Sequence, residues 1–199
     1  MDRGCAALKK IFFIRHGATA GNLQRRYIGR TDEPLCAEGT EQVLRLKEQD
    51  ISVDIIYTSP MIRAQQTAEL LFPGRERITV EDLRETDFGI FEGKTADEMS
   101  NLSEYQTWVD SMCLDPIPGG DSVSGFKARC CAAFEGILEM LPENSSAAIV
   151  THGGVIMAVL EAYALPKRGF YDYHVQPGSL LCCEYDGTLR IVETKAGNE

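Results

Sequence analysis

The sequence predicts an α/β protein: a three-layer α/β/α sandwich whose mostly parallel sheet ends in an antiparallel edge strand. Three observations predict it. Short apolar runs rich in β-branched and aromatic residues alternate along the 199 residues with longer segments of helical periodicity. That alternation calls for parallel strands with helices on both faces. No repeat, linker or low-complexity stretch interrupts the chain, so a single domain over residues 1–199 is expected. Finally, Asp186-Gly187-Thr188 separates two strand-like runs by a turn, which places an antiparallel pair at the edge.

The elements follow in order. Lys10 to Ile14 is a buried strand between charged residues and Gly17, and a loop rich in Gly, Asn, Arg and Asp runs on to Glu38. Thr40 to Gln49 carries Val43, Leu44 and Leu46 among good helix formers and reads as an amphipathic helix. Val53 to Tyr57 is a second buried strand. Thr58-Ser59-Pro60 then opens a helix over Met61 to Leu71, which Pro73-Gly74 stops. Ile78 to Val80 is a third strand, Leu83 to Gly93 a loop, and Ala96 to Ser111 one or two short helices. After the break at Pro116 to Gly120, Ser122 to Leu141 is a helix with Asp121 or Ser122 as its cap. Ala147 to Val150 is a fourth strand, Val155 to Tyr163 a buried helix, and Gly178 to Tyr185 with Leu189 to Glu193 the terminal hairpin.

Composition narrows the function. With 44% hydrophobic and 25% charged residues, the chain is neither disordered, collagen-like nor a coiled coil. A chain of this size buries about 70% of its unfolded surface, so its core needs no disulfides. Twenty basic against thirty acidic residues leave a net charge of -10, a poor field for nucleic acid or an anionic membrane. The longest apolar run, Val155 to Leu160, is far short of the ~20 residues that span a bilayer. Ile11 to Ile14 is too short for a secretory signal. The seven cysteines are odd in number and include two adjacent pairs, so a reducing, cytoplasmic setting is expected. Without a C-x-x-C motif there is no starting point for structural zinc, and neither metal nor cofactor is expected.

Only three histidines occur, and two share a context. The first strand ends in Arg15-His16-Gly17 and the fourth in Thr151-His152-Gly153-Gly154, so each delivers a histidine followed by glycine. A lone histidine there reads as a loop residue. Two in equivalent places face one crevice if the strands are neighbours, and the glycines let backbone N–H groups approach a ligand. Ligands of open α/β sheets bind outside these carboxyl ends. Arg63 falls in the first turn of a helix, where the dipole favours an acid, and Arg15 adjoins His16. Each arginine alone reads as a surface ion pair. Together with both histidines they form an anion pocket, because the guanidinium fork matches phosphate oxygens. Glu85 is the carboxylate nearest the third strand end on a side that could face the crevice, with Asp82, Asp87 and Glu92 open as alternatives.

Arg15-His16-Gly17, Ser59-Pro60-x-x-Arg63-Ala64-x-x-Thr67-Ala68, Leu83-x-Glu85 and His152-Gly153, in this order, resemble the histidine phosphatase superfamily, also called phosphoglycerate mutase-like. The resemblance implies that His16 is the nucleophile and passes through a phosphohistidine. Arg15, Arg63 and His152 would hold the phosphoryl oxygens, with Asn22, Thr19 and Gly153 as further phosphate contacts, and Glu85 would be the general acid. Ala18 departs from the Glu or Gln that many members carry there, outside the chemical core. The physics agrees: a nucleophilic imidazole must be neutral, adjacent arginines disfavour its protonation, and phosphoryl transfer depends mainly on charge stabilisation.

Gly89 to Thr95 imitates a phosphate-binding P-loop but has three residues between its glycines where the motif needs four. His174 reads as packing or hydrogen bonding near the sheet edge, with a substrate contact or, less favoured, metal ligation as alternatives, and Trp108 with Tyr105 as packing, although the resemblance places that region over the pocket mouth. Three functions are in competition: a phosphomonoesterase of a small phosphorylated metabolite, a phosphoglycerate mutase, and a non-catalytic phospho-ligand binder. Leu83 to Gly89 lacks the arginine-histidine-tyrosine run usual in mutases after the acid, which favours the phosphatase. Tyr105-x-x-Trp108 and Ile117-Pro118-Gly119-Gly120-Asp121-Ser122 with Phe126 and Arg129 are similar to α-ribazole phosphatases. The family often dimerises, so a homodimer stands beside the metabolite as an expected partner.

Overall fold

A computed structural model describes residues 8–49 and 51–196; Cys5 lies outside them. Strands β1 (Lys9–Arg15), β2 (Ile55–Thr58), β3 (Ile78–Thr79), β4 (Ser146–Thr151), β5 (Ser179–Tyr185) and β6 (Leu189–Ala196) form one sheet in the order β3-β2-β4-β1-β5-β6. The first four in that order are parallel, and β5 and β6 add an antiparallel pair at the β1 side.

The period-2 alternation of the central strands creates two cores. Ile11, Phe13, Ala147 and Ile149 face helices α5 (Val123–Met140) and α6 (Gly153–Tyr163). Ile14, Ala148 and Val150 face α2 (Ala37–Lys47) and α3 (Ile62–Leu71). Those two helix pairs are the outer layers of the sandwich. β4 is buried on both faces, as a central parallel strand must be. A third cluster of Phe91, Met99, Tyr105, Trp108 and Ile117 lies around α4 (Ser103–Asp110).

Several boundaries differ from the expected ones for local reasons. The helix expected from Thr40 begins at Ala37, because Cys36 Sγ accepts from the Gly39 amide and caps it. The helix expected from Val155 begins at Gly153, with His152 in extended conformation at its N-cap. Val53 lies outside β2, where its carbonyl accepts from Arg75 Nη2 at 3.0 Å. The helical stretch from Ala96 to Ser111 contracts to α4. A single-turn helix α1 (Ala20–Leu23), too short to show periodicity, is held by a reciprocal cap between Thr19 and Asn22.

The order β2-β4-β1 decides where the chemistry goes. Three adjacent parallel strands end together, with Arg15 opposite Thr151 and Thr58 opposite Val150. The next residues along the chain are therefore His16, His152 and Ser59.

Candidate active site

His16 is held from both sides. Its amide donates to the Thr151 carbonyl at 3.0 Å, and its carbonyl accepts from the Gly178 amide at 2.9 Å. The ring is 3% exposed. Nδ1 lies 2.7 Å from the Gly17 carbonyl, which can only accept, so the proton sits on Nδ1 and Nε2 keeps its lone pair. The pKa is held well below the ordinary histidine value, first by burial and then by the Arg63 and Arg15 charges.

His152 is fully buried, with its ring 5.0 Å from that of His16. It too is held well below the usual range by burial, then by Arg63. Its Nε2 stands 2.7 Å from Ser59 Oγ, which itself accepts from the Met61 amide at 3.3 Å. With the Ser59 hydrogen given to Nε2, the neutral ring carries its proton on Nδ1, which has no partner. When its hydroxyl is the donor, Ser59 sets the tautomer of His152; its place in the Ser59-Pro60 motif was the available signal.

The arginines are equally committed. Arg15 Nη1 donates to the Val175 carbonyl at 2.5 Å. Arg63 is 1% exposed and donates from Nη1 to Thr31 O and from Nη2 to Gly29 O, both at 2.8 Å. Burial lowers both guanidinium pKa values and the Glu85 charge opposes that shift. Each keeps its buried Nε unpaired. Of five buried side-chain polar atoms without a partner among the described residues, three therefore belong to Arg15, Arg63 and His152. Native interiors rarely leave buried polar atoms orphaned, and these three, gathered beside a neutral imidazole, can receive an anion.

Thr151 Oγ1 donates to the Leu83 carbonyl at 2.9 Å and draws the following segment over the strand ends. Glu85 Oε2 there accepts from the Gly154 amide at 3.1 Å, and Oε1 from the Thr86 amide at 3.0 Å. A Cβ on Gly154 would stand 2.3 Å from Glu85 Oε1, so only glycine leaves the carboxylate its place. Among the four candidate carboxylates, Glu85 lines a cavity of about 220 Å³ with Arg15, Asn22 and Gly153. Glu92 is occupied by the Gly29, Thr31 and Phe88 amides, Asp87 by Arg30 and the Gly89 amide, and Asp82 is exposed. Arg129, quoted only within a longer motif, donates to the carbonyls of Asp82 (2.8 Å), Arg84 (2.9 Å) and Glu85 (3.4 Å) and so fixes the segment that carries the acid.

Two residues sit differently from their expected surroundings. Thr19 is fully buried, and its hydroxyl accepts from the Asn22 amide, while Asn22 Oδ1 accepts from Thr19 N. Asn22 reaches the cavity wall and Thr19 does not line it. Gly17 does not present its amide to the cavity: the N–H donates to Thr67 Oγ1 at 3.2 Å, and a Cβ would lie 2.3 Å from the Gly39 carbonyl. This glycine admits helix α2 against the β1 loop. His174 lines the cavity, and burial lowers its pKa first, with Arg15 second. Among the described residues no cluster of His, Cys, Asp or Glu is placed to hold a metal ion, and no helix is long and apolar enough to cross a membrane.

Comparison with known proteins gives a family and several relatives. The model of the histidine phosphatase superfamily (branch 1) matches residues 11–196. A probable phosphoglycerate mutase GpmB of Salmonella choleraesuis is 32% identical over 152 residues, 72% of this chain and 69% of that protein. The alpha-ribazole phosphatase from Shigella flexneri superposes with a TM-score of 0.80 at 25% identity, covering 92% of this chain and 95% of its own. A phosphoglycerate mutase from Thermus thermophilus gives 0.70 at 34% identity, covering 93% and 97%. The matched span takes in the Arg15-His16-Gly17 strand end at one extreme and strand β6 at the other, and the chain belongs to the histidine phosphatase superfamily, branch 1.

Proposed function

We propose that this protein is a metal-independent phosphomonoesterase of a small phosphorylated metabolite, working through a phosphohistidine at His16. The observation that carries the reading is the orphaned trio of Arg15 Nε, Arg63 Nε and His152 Nδ1 around an imidazole with a free Nε2. In the first step the Nε2 lone pair attacks phosphorus and the ester P–O bond breaks. Glu85, protonated, gives its proton to the departing alkoxide, so a neutral alcohol leaves. The three donors carry the charge on the equatorial oxygens, the part of phosphoryl transfer that depends most on the protein. In the second step Glu85, now a carboxylate, takes a proton from the water that attacks phosphorus. The P–N bond breaks, inorganic phosphate forms, and His16 returns neutral.

The names of the relatives support two finer readings. Phosphoglycerate mutase uses the same first step and returns the phosphoryl group to a product; the Leu83-to-Gly89 segment lacks the run expected for it. α-Ribazole 5'-phosphate is the more specific phosphatase substrate, on the Tyr105 to Arg129 resemblance and the Shigella neighbour. The six described cysteines are free, which supports a reducing, cytoplasmic setting.

The test is rapid-quench labelling with a phosphate monoester, on wild type and His16→Ala, with and without chelator. An acid-labile, base-stable adduct, abolished in the variant and indifferent to chelation, is expected, with phosphate as the final product. An acid-stable adduct, hydrolysis by His16→Ala, or transfer between phosphoglycerates without phosphate release would overturn it.

A further inference from the structure

A larger chamber of about 490 Å³ adjoins the anion cavity, and Tyr27, Phe88 and Met157 are walls of both. Its other sides include Trp108, Phe126, Phe170 and Tyr171. The Tyr27 ring meets Phe88 and Trp108 edge-on, at 5.1 and 6.0 Å between centroids, so the shared wall is aromatic.

The charged groups of this chamber are already matched. Lys127 pairs with Glu161 at 2.5 Å and lies 4.6 Å over the Phe170 ring. Asp121 accepts from the Asp87 amide at 3.0 Å and pairs with Arg129 at 3.4 Å. Lys127, Glu161 and Asp121 are the charged side chains that line it, and none offers an unpaired cation to a second acidic group.

Glu85 stands close to the chamber without lining it. One methyl on Gly154 would touch Glu85 Oε1 at 2.3 Å and Phe126 Cζ at 3.2 Å, so the acid and the chamber wall are neighbours. The alcohol oxygen that Glu85 protonates therefore has its carbon body beside the chamber. Arg25, Arg26 and His174 line a further polar cleft with Arg15 and Asn22; Glu85 lines neither that cleft nor the chamber, and it also borders a cavity of about 280 Å³ with Arg30, Arg84 and Arg129.

The chamber lip is apolar and unusual. Met112, Leu114 and Tyr171, which line it, are 74%, 59% and 61% exposed. Met112 and Cys113 both adopt left-handed backbone, with φ of 55° and 59°, which is uncommon for non-glycine residues.

We propose that this chamber is the leaving-group subsite, and that the substrate is the phosphate monoester of a neutral alcohol bearing an apolar ring system. The inference rests on the phosphatase reading and adds a substrate class to it. The volume suits a ring-sized body, aromatic walls reward its burial, and paired charges exclude a second carboxylate or phosphate.

The test compares primary-alcohol esters of matched leaving-group chemistry: 2-(1-naphthyl)ethyl phosphate, propyl phosphate and 3-phosphoglycerate. The naphthyl ester should exceed each of the other two by about 100-fold in kcat/KM, the scale on which burial of a ring discriminates. Val123→Trp, which fills the chamber from the first residue of α5, should reduce the naphthyl-to-propyl ratio at least tenfold. Equal hydrolysis of the three esters, a preference for 3-phosphoglycerate, or an unchanged ratio in Val123→Trp would overturn the subsite alone. Hydrolysis of none of them would overturn the phosphatase reading itself, and the subsite with it.

Discussion

Replacing Gly154 by alanine separates the role of the acid from the stability of the fold. The added Cβ would stand 2.3 Å from Glu85 Oε1, against an ordinary contact of 3.4 Å or more, so the carboxylate oxygen must retreat by about 1 Å. The obstacle is the end of a flexible side chain, and Phe126 Cζ at 3.2 Å needs to give only a few tenths of an ångström. Gly154 is the second residue of α6, where alanine gains up to ~1 kcal/mol of helix propensity. The variant should melt at or above the wild-type temperature. A displacement of about 1 Å at a reacting group costs on the order of 10²-fold in rate. With an alkyl phosphate, kcat should fall by about that factor. With p-nitrophenyl phosphate, whose leaving group hardly needs a proton, it should fall much less. Stopped assays on both esters beside a thermal melt decide it. Unchanged turnover of the alkyl ester in a folded variant would refute Glu85 as the acid and return the role to Asp82, Asp87 or Glu92.

Two further outcomes follow from the same geometry. His16 and His152 are depressed in the folded state, while the unfolded chain takes up protons near pH 6.5, so the folded state binds fewer protons below that pH. Stability is therefore lost as pH falls through 6.5, by up to about 1.4 kcal/mol per pH unit for each histidine. Urea unfolding at pH 7.5, 6.5 and 5.5 should show His152→Asn losing roughly half of the slope that the pair contributes; equal slopes would remove the histidines from the account. Arg129→Lys breaks the clamp on the carbonyls of Asp82, Arg84 and Glu85, because an ammonium cannot reproduce the guanidinium fork. Its kcat should drop about tenfold on the scale of a misplaced acid. KM and competitive inhibition by phosphate should change little, and a rise in KM alone would assign Arg129 to binding.

What was legible in the sequence was local. His16, His152 and Arg63 each follow directly from a strand end or a helix start, and β1 and β4 are neighbours, the condition on which the two matching histidine contexts face one crevice. What was not legible depends on contacts between distant segments. Gly17 reads as an opening toward a ligand, yet its missing side chain makes room for Gly39, 22 residues on, and nothing in either residue's surroundings announces that. Thr19 reads as a ligand hydroxyl, and a four-residue helix too short for any periodicity takes it as a cap. Arg129 holds backbone carbonyls, which have no side-chain identity and so leave no trace in a sequence. Arg63 shows both halves: its place against the helix dipole marks it as unusual, but its partners, the Thr31 and Gly29 carbonyls, come from a loop whose path only the fold determines.

The net charge of -10 bears on substrate in the same two-level way. Exposed carboxylates act through water and salt and are largely screened beyond ~8 Å. A guanidinium touching phosphate at 4 Å contributes about 4 kcal/mol at an effective dielectric of ~20. On the phosphatase reading proposed above, one phosphoryl group is thus well held by Arg15 and Arg63, whatever the outer surface carries. Inside the chamber a second anionic group has no such clamp, because Lys127, the one cation lining it among the described residues, is given to Glu161. A triose acid phosphate whose carbon body entered the chamber would bring its carboxylate against Phe126, Met157 and Phe88, and burying an unpaired carboxylate there costs several kcal/mol. The same walls stabilise an apolar ring by roughly 25 cal/mol for each Å² removed from water. An acidic exterior, one buried anion clamp and an apolar chamber beside the acid therefore select a molecule with one charged end and one greasy end.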